Sequence, residues 1–268
     1  MTVQVSSRPP GILADRALSA SAQFWFIAAV IGQWAFFYYI AAFYGPSTLS
    51  GDFPAWARNA LLLKGYVAGD TAGNLTFAAH ALLAGIIAFG GALQVAPQLR
   101  SRWPAVHRWN GRLFLVVACG LAFSGLYLVW VRHSNPALLG SIATSLNAAL
   151  ILTFAGLALA AVRGRDLAAH RRWALRLYLV ANAQWFMRVG FFAYVLAQGG
   201  HPVGTRLFGE IWSFGCFLVP LAVLELYLRS QAGSPRARMA MAGGLFTLTL
   251  VMAAGAIGFT LFSLSLLA

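Results

Sequence analysis

The feature that most constrains this chain is a series of seven apolar runs, each close to the length of a membrane-spanning helix. A helix needs about 20 apolar residues to cross the hydrocarbon core of a bilayer. Of the 268 residues, 60% are hydrophobic and only 9% are charged, against about 25% charged in an ordinary soluble domain. These proportions exclude a soluble fold and predict an all-α polytopic membrane protein, a bundle of seven transmembrane helices. The runs are 24–44, 74–97, 113–131, 140–162, 174–197, 207–228 and 241–267.

The spacing of the runs indicates one domain, because no linker is long or polar enough to separate two. We expect a cytoplasmic N-terminal tail over 1–22, followed by a single seven-helix transmembrane domain over 23–268. No small-residue cleavage site follows the first run, which we therefore interpret as an uncleaved signal anchor. In the long connection 45–73, Asp52 and Pro54 predict the start of a short helix lying on the membrane surface.

The positive charges fall mainly on one side of the predicted membrane. The net charge is +13, and fourteen of the 19 Lys and Arg residues lie in segments on one side, four lie on the other, and Arg188 alone lies inside an apolar run. Because basic loops remain in the cytoplasm, this asymmetry predicts a multi-pass protein of the bacterial inner (cytoplasmic) membrane, with the N-terminus inside and the C-terminus outside. The expected partners are the lipid bilayer with its anionic headgroups and, as a further hypothesis, other membrane subunits, rather than nucleic acid.

A basic motif occurs twice between apolar runs. The first copy is His107–Arg112 (HRWNGR) and the second is His170–Arg176 (HRRWALR), and both continue as Leu-aromatic-Leu. This similarity favours an internal duplication in which helices two and three correspond to helices four and five. The copies align over only about ten residues, so an independent origin of the two motifs stays open.

The two histidines of the basic motifs suggest that the protein binds haem. Two imidazoles at equivalent places in a duplicated bundle could bind the iron of one b-type haem from both sides, with neighbouring arginines at its propionates. The alternative is that His, Arg and Trp at a helix mouth only hold the helix at its depth. Both histidines lie at the edges of apolar runs, which favours this alternative. The residues concerned are His107 and His170 as metal ligands, with Arg108, Arg112, Arg171 and Arg176 beside them.

Four polar residues are expected in the outer half of the bilayer: His80, Asn147, Arg188 and Glu210. A charge as deep as that of Arg188 costs about 2.5–3.5 kcal/mol on insertion scales. We therefore expect Arg188 to face the bundle interior and to pair with Glu210 or Asn147. The cluster could bind a polar ligand, or it could be a self-satisfied network that only fixes helix register.

The sequence supports weaker predictions for four other residues. His133 could join His80 around a second haem, and Glu225 is expected to pair with a loop arginine. Cys119 and Cys216 lie in different helices and imply neither a disulfide framework nor a metal site.

Several motifs resemble those of a known family. The segments His80–Gly85 (HALLAG) and Pro97–Arg100 (PQLR), together with both basic motifs, resemble the bacterial membrane proteins of domain-of-unknown-function family 2306 over roughly residues 75–195. That resemblance implies a membrane protein and brings no activity with it. A looser resemblance to b561-type cytochromes rests on histidines distributed over a helical bundle, from which this chain departs because His107 and His170 lie at helix mouths.

These observations leave three functional hypotheses. The first is a membrane protein with a buried polar site, acting in haem b redox chemistry or in small-ligand binding. The second is a non-catalytic structural or assembly subunit of a larger membrane complex, and the third is a transporter. The sequence contains no P-loop, no GxSxG and no HExxH motif, so it leaves the existence of an enzymatic activity open.

Overall fold

The computed structural model describes residues 10–59, 64–135 and 137–268, and these residues form helices and no strand. A short 3₁₀ helix, Phe53–Arg58, follows the first α-helix. The α-helices are α1 Pro10–Ser50, α2 Thr71–Val95, α3 Pro97–Arg102, α4 Pro104–Trp130, α5 Leu138–Arg163, α6 Leu167–Ala181, α7 Ala183–Ala197, α8 Thr205–Gln231 and α9 Pro235–Leu267.

Within the described ranges, six helices are long and apolar enough to cross a bilayer, namely α1, α2, α4, α5, α8 and α9. Helices α6 and α7 are bent by 56° and would form a seventh span if they cross together. Their contacts with α8 support a joint crossing. Arg176 of α6 is hydrogen-bonded to Glu225 late in α8, and Tyr194 of α7 stacks on Phe208 early in α8. The prediction of an all-α polytopic bundle is thus confirmed, with six to seven spans.

Two ends of the bundle can be distinguished by their connections. We call the end that carries 96–103, 164–166 and 232–234 the basic end, because most of the described Lys and Arg residues lie there. The opposite end carries the described parts of the other connections, which are 51–59, 64–70, 131–135, 137 and 198–204.

Helix α1 begins much earlier than the predicted run at 24–44. It starts at Pro10 and is 41 residues long, or about 60 Å at 1.5 Å per residue. Ala14 and Leu18, one turn apart, are buried, and Asp15 forms an ion pair of 3.2 Å with Arg238 of α9. Packing therefore continues α1 through the segment interpreted as a polar tail, of which residues 1–9, including Arg8, lie outside the described residues.

Helix α9 packs closely on both α1 and α7. Phe259 of α9 lies 5.7 Å from the ring of Phe36 and 5.6 Å from that of Tyr39. At Gly255, α9 approaches the backbone of α7 so closely that an added Cβ would collide with the carbonyl oxygen of Val189. Small residues permit such close approach between membrane helices.

Helix α8 is held much more loosely. It packs mainly on α7 and has few contacts with α9. Its buried residues are Cys216, Phe217 and Ser230. A gap therefore separates much of α8 from α1 and α9.

In the connection after α1, a short helix begins after Asp52 as predicted. The 3₁₀ helix Phe53–Arg58 is docked on the end of α1 through Trp56, which is 1% exposed. Its indole Nε1 donates a 2.8 Å hydrogen bond to Ser47 Oγ. Trp56 is therefore part of the protein core, whereas Pro54, Ala57 and Arg58 are exposed. Residues 60–63, with Leu61 and Leu62 of the expected helix, lie outside the described ranges.

Arg132, directly after α4, fixes this connection to α2. Its side chain is 3% exposed, and Nε donates to Asp70 Oδ2 at 2.8 Å. Its Nη1 donates to the carbonyl of Lys64 at 2.8 Å, and Nη2 donates to Asn74 Oδ1 at 2.6 Å. Asp70 also caps α2 by accepting from the backbone N–H of Gly73 at 2.9 Å. In the sequence analysis, Arg132 contributed only to the count of basic residues in the connections. In the structure, its hydrogen bonds link the connection after α1 to the start of α2.

Candidate functional site

A half-open cavity of about 850 Å³ lies between the helices, towards the end opposite the basic end. Helices α1, α2 and α4 to α9 contribute to its wall. The structure brings four sequence-predicted residues to this one cavity: His80 from α2, Asn147 from α5, Arg188 from α7 and Glu210 from α8. We call it the Arg188 cavity.

Arg188 faces the cavity, but the prediction that it pairs with Glu210 or Asn147 is wrong. Its Nη1 donates to the carbonyl of Gln184 at 2.8 Å and to Gln184 Oε1 at 3.2 Å. The guanidinium lies 4.9 Å from the ring centre of Phe36 and 6.0 Å from that of Phe259. A neighbour one turn earlier and two aromatic faces therefore hold the cation, and the expected ion pair with Glu210 is not formed.

Glu210 is engaged by a closer basic residue. Its Oε1 lies 3.3 Å from Nε of Arg206, one turn earlier on α8. The Arg206 side chain is 94% exposed. Residues four apart on one helix lie close together without any tertiary contact. Glu210 therefore pairs with Arg206 on its own helix instead of with Arg188 on the other side of the cavity.

Arg188 retains unused hydrogen-bonding capacity. A guanidinium has five N–H donors, and Nε and Nη2 of Arg188 make no hydrogen bond with the residues that the structure describes. Asn147 is not its partner either: within the same described ranges, the buried Oδ1 of Asn147 has no hydrogen-bond partner. A buried amide oxygen without a donor is costly, so both groups are suited to binding a further molecule.

His80 presents an acceptor to this cavity. Its Nδ1 lies 2.8 Å from Ser124 Oγ, and that hydroxyl donates its own proton to the carbonyl of Gly120 at 2.7 Å. With the hydroxyl proton directed to Gly120, the hydroxyl oxygen accepts from Nδ1–H, and this tautomer leaves Nε2 as an acceptor. His133 is exposed in the connection after α4 and does not line the cavity, so the arrangement gives no support to a haem shared by His80 and His133.

The charges around the Arg188 cavity do not balance. Its described wall includes two arginines, Arg188 and Arg206, and one acid, Glu210. Because Glu210 pairs with Arg206, the charge of Arg188 is left without a counter-ion there. The cavity can therefore accommodate a carboxylate or a phosphate group, for which a guanidinium is well shaped.

The histidines of the basic motifs contact neighbouring helices instead of each other. Gln94 of α2 receives a hydrogen bond from Asn110 at its Oε1, which leaves its Nε2 to donate to His107 Nε2 at 3.3 Å. His170 Nδ1 donates to the carbonyl of Ala158 in α5 at 2.9 Å. Neither imidazole lines the Arg188 cavity. Haem binding here stays a prediction, which absorbance spectra of oxidised and dithionite-reduced protein would test through the Soret band.

The arginines of the basic motifs are engaged differently from one another. Arg176 forms a two-point ion pair with Glu225, at 2.7 and 2.9 Å. The expected pairing of Glu225 with an arginine of this end is confirmed, and Arg176 is thereby unavailable to a propionate. Arg108 and Arg112 are exposed, and Arg112 lies 4.8 Å from the ring centre of Trp109.

The two basic motifs share local geometry. The contact of Arg112 with Trp109 recurs in the second copy, where Arg176 lies 4.7 Å from the ring centre of Trp173. Aligning these pairs also aligns Phe114 with Tyr178. Both rings lie close to Gly91 of α2, because a Cβ added at Gly91 would be 3.0 Å from Phe114 and 3.1 Å from Tyr178. These parallels support a duplication.

The same alignment separates the histidines. It places His107 opposite Arg171 instead of His170, and one residue corresponds to about 100° around a helix. The second copy is also broken at Asn182, between α6 and α7, whereas α4 is continuous. The duplication therefore stays a prediction, and His107 and His170 are not equivalent positions in this alignment.

Comparison with known proteins places the chain in a family. A family model described as "Predicted membrane protein (DUF2306)" matches residues 77–228, more than half of the chain. The chain belongs to this family. The DUF2306 segment runs from α2 to α8 and contains His80, Asn147, Arg188 and Glu210. No curated protein and no solved structure matches the chain, and the resemblance to b561-type cytochromes is not shown.

Sequence reasoning missed the residues that position the site. Gln184 lies four residues before Arg188, a spacing that sequence could have identified. Phe36 and Ser124 come from other helices, and no local pattern associates them with Arg188 or His80.

Proposed function

We propose that this membrane protein binds a small anionic ligand, carrying a carboxylate or phosphate group, in the Arg188 cavity. The observation that carries the proposal is the guanidinium of Arg188, which lines the cavity between the helices and has no acidic partner among the described residues. A cation deep in a bundle is costly unless a counter-charge compensates it. An anionic ligand would supply that charge.

The surrounding groups suit this ligand. Nε and Nη2 of Arg188 can bind two oxygens of one carboxylate or phosphate. His80 Nε2, left as an acceptor, can receive a hydroxyl or ammonium proton of the ligand. Gln184 and the two aromatic rings hold the guanidinium in place before the ligand arrives. Such preorganisation lowers the cost of binding.

The alternative, a self-satisfied polar cluster, agrees less well with these contacts. In that case the polar groups would bond to each other. Instead, Glu210 pairs with Arg206, and Asn147 Oδ1 has no partner within the described ranges. A network that served only helix register would leave fewer buried groups unsatisfied.

The charge asymmetry supports a location for the site. We propose that the protein lies in a bacterial inner membrane with its basic end in the cytoplasm, because the basic connections alternate with poorly charged ones along the chain. The Arg188 cavity would then lie nearer the external face. Its ligand would come from outside the cytoplasm.

Thermal stability in detergent tests the ligand proposal. A ligand that binds only the folded protein raises its unfolding temperature. The purified protein would be heated with inorganic phosphate, acetate, succinate or citrate while its tryptophan fluorescence is followed. We expect at least one of these anions to stabilise the wild type in a saturable way, and Arg188→Gln to lose that stabilisation.

A matched control removes an arginine elsewhere. Arg58 lies on the 3₁₀ helix towards the same end, is exposed, and does not line the cavity. Arg58→Gln makes the same charge change and should retain the stabilisation by anions. Equal stabilisation of Arg188→Gln and the wild type, or no response to any of the four anions, would count against the proposal.

A further inference from the structure

A second cavity, of about 980 Å³, lies between α1, α6, α7, α8 and α9. Helix α7 separates it from the Arg188 cavity. Val189, Gly190 and Ala193 of α7 line the second cavity, whereas Arg188 and Phe191 line the first. We call the second cavity the lateral slot.

The lateral slot is long and runs along the helices. Its wall extends from Asp15 to Ile27 on α1 and from Arg238 to Met252 on α9. At 1.5 Å per residue, these stretches correspond to about 20 Å. This is roughly two thirds of the ~30 Å hydrocarbon core, a depth comparable with that of one lipid leaflet.

Polar groups are concentrated at one end of the slot. Arg171, Gln98 and the ion pair of Asp15 with Arg238 lie at the basic end. The far end is lined by Ala193 and Trp212. The slot therefore matches the polarity of an amphiphile. We call its polar, positively charged end the mouth and the apolar remainder the body.

Arg171 supplies a charge that is available to a ligand. It is exposed, and it makes no hydrogen bond or ion pair with the part of the chain that the structure describes. Arg238, in contrast, is neutralised by Asp15 at 3.2 Å. The mouth thus carries one net positive charge.

The side of the slot is open between α8 and the α1–α9 pair. Ile27, Val219, Leu248 and Val251 line the slot, yet they are 57%, 43%, 44% and 52% exposed. In a bilayer, these side chains would face acyl chains. A membrane lipid can therefore reach the slot sideways without passing through water.

We infer that the lateral slot binds a membrane lipid with an anionic headgroup. The phosphate of that lipid lies at Arg171, where a guanidinium can bind two of its oxygens, and one acyl chain extends along the apolar body towards Trp212. The charge of the mouth, the length of the slot and its lateral opening all favour this occupant. The inference does not depend on the ligand of the Arg188 cavity.

Native mass spectrometry tests headgroup recognition. Delipidated protein in detergent would be titrated with dioleoyl phosphatidylglycerol and, separately, with dioleoyl phosphatidylcholine. We expect a 1:1 adduct that forms about tenfold more tightly with the anionic lipid, because the choline cation of the other lipid offsets the charge of its phosphate. Arg171→Gln should abolish this preference. Arg172→Gln, which changes the adjacent exposed arginine outside the slot wall, should retain it.

A second pair of variants tests chain binding. Ala22 lines the slot, and Ala20 is exposed two residues earlier without lining it. Ala22→Phe should fill the slot and reduce the 1:1 adduct at least tenfold, whereas Ala20→Phe should bind as the wild type does. If the larger ring prevents folding, as judged by the thermal transition, Ala22→Leu takes its place.

Three results would overturn the inference. Equal binding of the two lipids would remove the role of Arg171, and equal losses in Arg171→Gln and Arg172→Gln would indicate a diffuse surface effect. A slot-filling variant with unchanged lipid binding would place the chain elsewhere. Arg188→Gln should leave lipid binding intact, so failure of this inference and failure of the anion proposal are distinguishable.

Discussion

At the scale of single residues, two partly buried arginines near the same end of the bundle have different roles. Arg132 is saturated by backbone carbonyls, Asn74 and Asp70. Arg188 has aromatic rings and Gln184 around it but no acid among the described residues. For this reason we assign a structural role to Arg132 and propose ligand binding at Arg188.

The Asp70 carboxylate makes stability depend on pH. The hydrogen bond from Arg132, followed by that from the backbone N–H of Gly73, holds the pKa of Asp70 below its ordinary value. A carboxyl group with a lowered pKa in the folded state stabilises the protein above its ordinary pKa of about 4. That stabilisation is lost as the pH falls through the lowered pKa.

We therefore expect Asp70→Asn to remove a component of stability that is present at neutral pH and absent in acid. Asparagine can still cap α2, so the substitution mainly removes the charge. The difference in unfolding temperature between wild type and Asp70→Asn should shrink between pH 7 and about pH 3. Asp52→Asn is the control, because Asp52 makes no side-chain capping bond. A constant difference across this pH range would contradict the assignment.

Sequence could identify the unusual residues but not their partners. Arg188 was recognisable because a charge inside an apolar run is rare. Its contacts with Phe36 and Phe259 depend on how α1 and α9 pack on α7. Glu210 was assigned to Arg188 because it lies on the next helix, whereas Arg206, one turn away, is the partner that geometry provides.

At the scale of helices, the close approach of α7 and α9 positions Arg188. Gly255 allows this approach because an added Cβ would collide with the carbonyl oxygen of Val189, next to Arg188. A backbone atom cannot move aside as a flexible side chain does. The distance between the two helices is therefore set by a residue that has no side chain.

Gly255→Ala should destabilise the protein by about 1–3 kcal/mol, the usual cost of overpacking. Gly244→Ala, on the same helix, is the control, because a Cβ there meets nothing within 4 Å; it should be neutral or stabilising by up to about 1 kcal/mol. Unfolding temperatures in detergent would measure both. Similar effects of the two substitutions would show that the contact at Gly255 is unimportant.

Sequence predicted the spans better than their interruptions. The run 174–197 has the length of one helix, but the structure breaks it at Asn182, whose Nδ2 donates to the carbonyl of Tyr178 at 2.8 Å. An apolar run contains no signal for such a bend except the polar residue itself. The early start of α1 was missed because the sequence becomes less hydrophobic before Phe24, although the helix continues there and packs on α9.

At the scale of the whole molecule, composition was sufficient to predict the class of protein and most of its spans. The lateral slot could not be predicted, because it arises from the distance between α8 and the α1–α9 pair. Amino-acid patterns specify which residues are apolar. They do not specify which helices fail to pack.

The orientation of the bundle can be tested by cysteine labelling. After Cys119 and Cys216 are replaced by alanine, single cysteines would be placed at Asp52 and Ser101, which are exposed at opposite ends. We expect a membrane-impermeant maleimide to label Asp52→Cys in intact cells, and Ser101→Cys only after permeabilisation. Labelling of Ser101→Cys from outside would reverse the proposed topology.

The loose attachment of α8 has a consequence for how an occupant of the slot would exchange. A cavity that opens towards acyl chains equilibrates with the bilayer and not with the aqueous phase. Its occupancy is then governed by the mole fraction of the lipid in the leaflet, and diluting the membranes in buffer leaves it unchanged. Adding detergent or a foreign lipid lowers that mole fraction, and only then does the slot release what it holds.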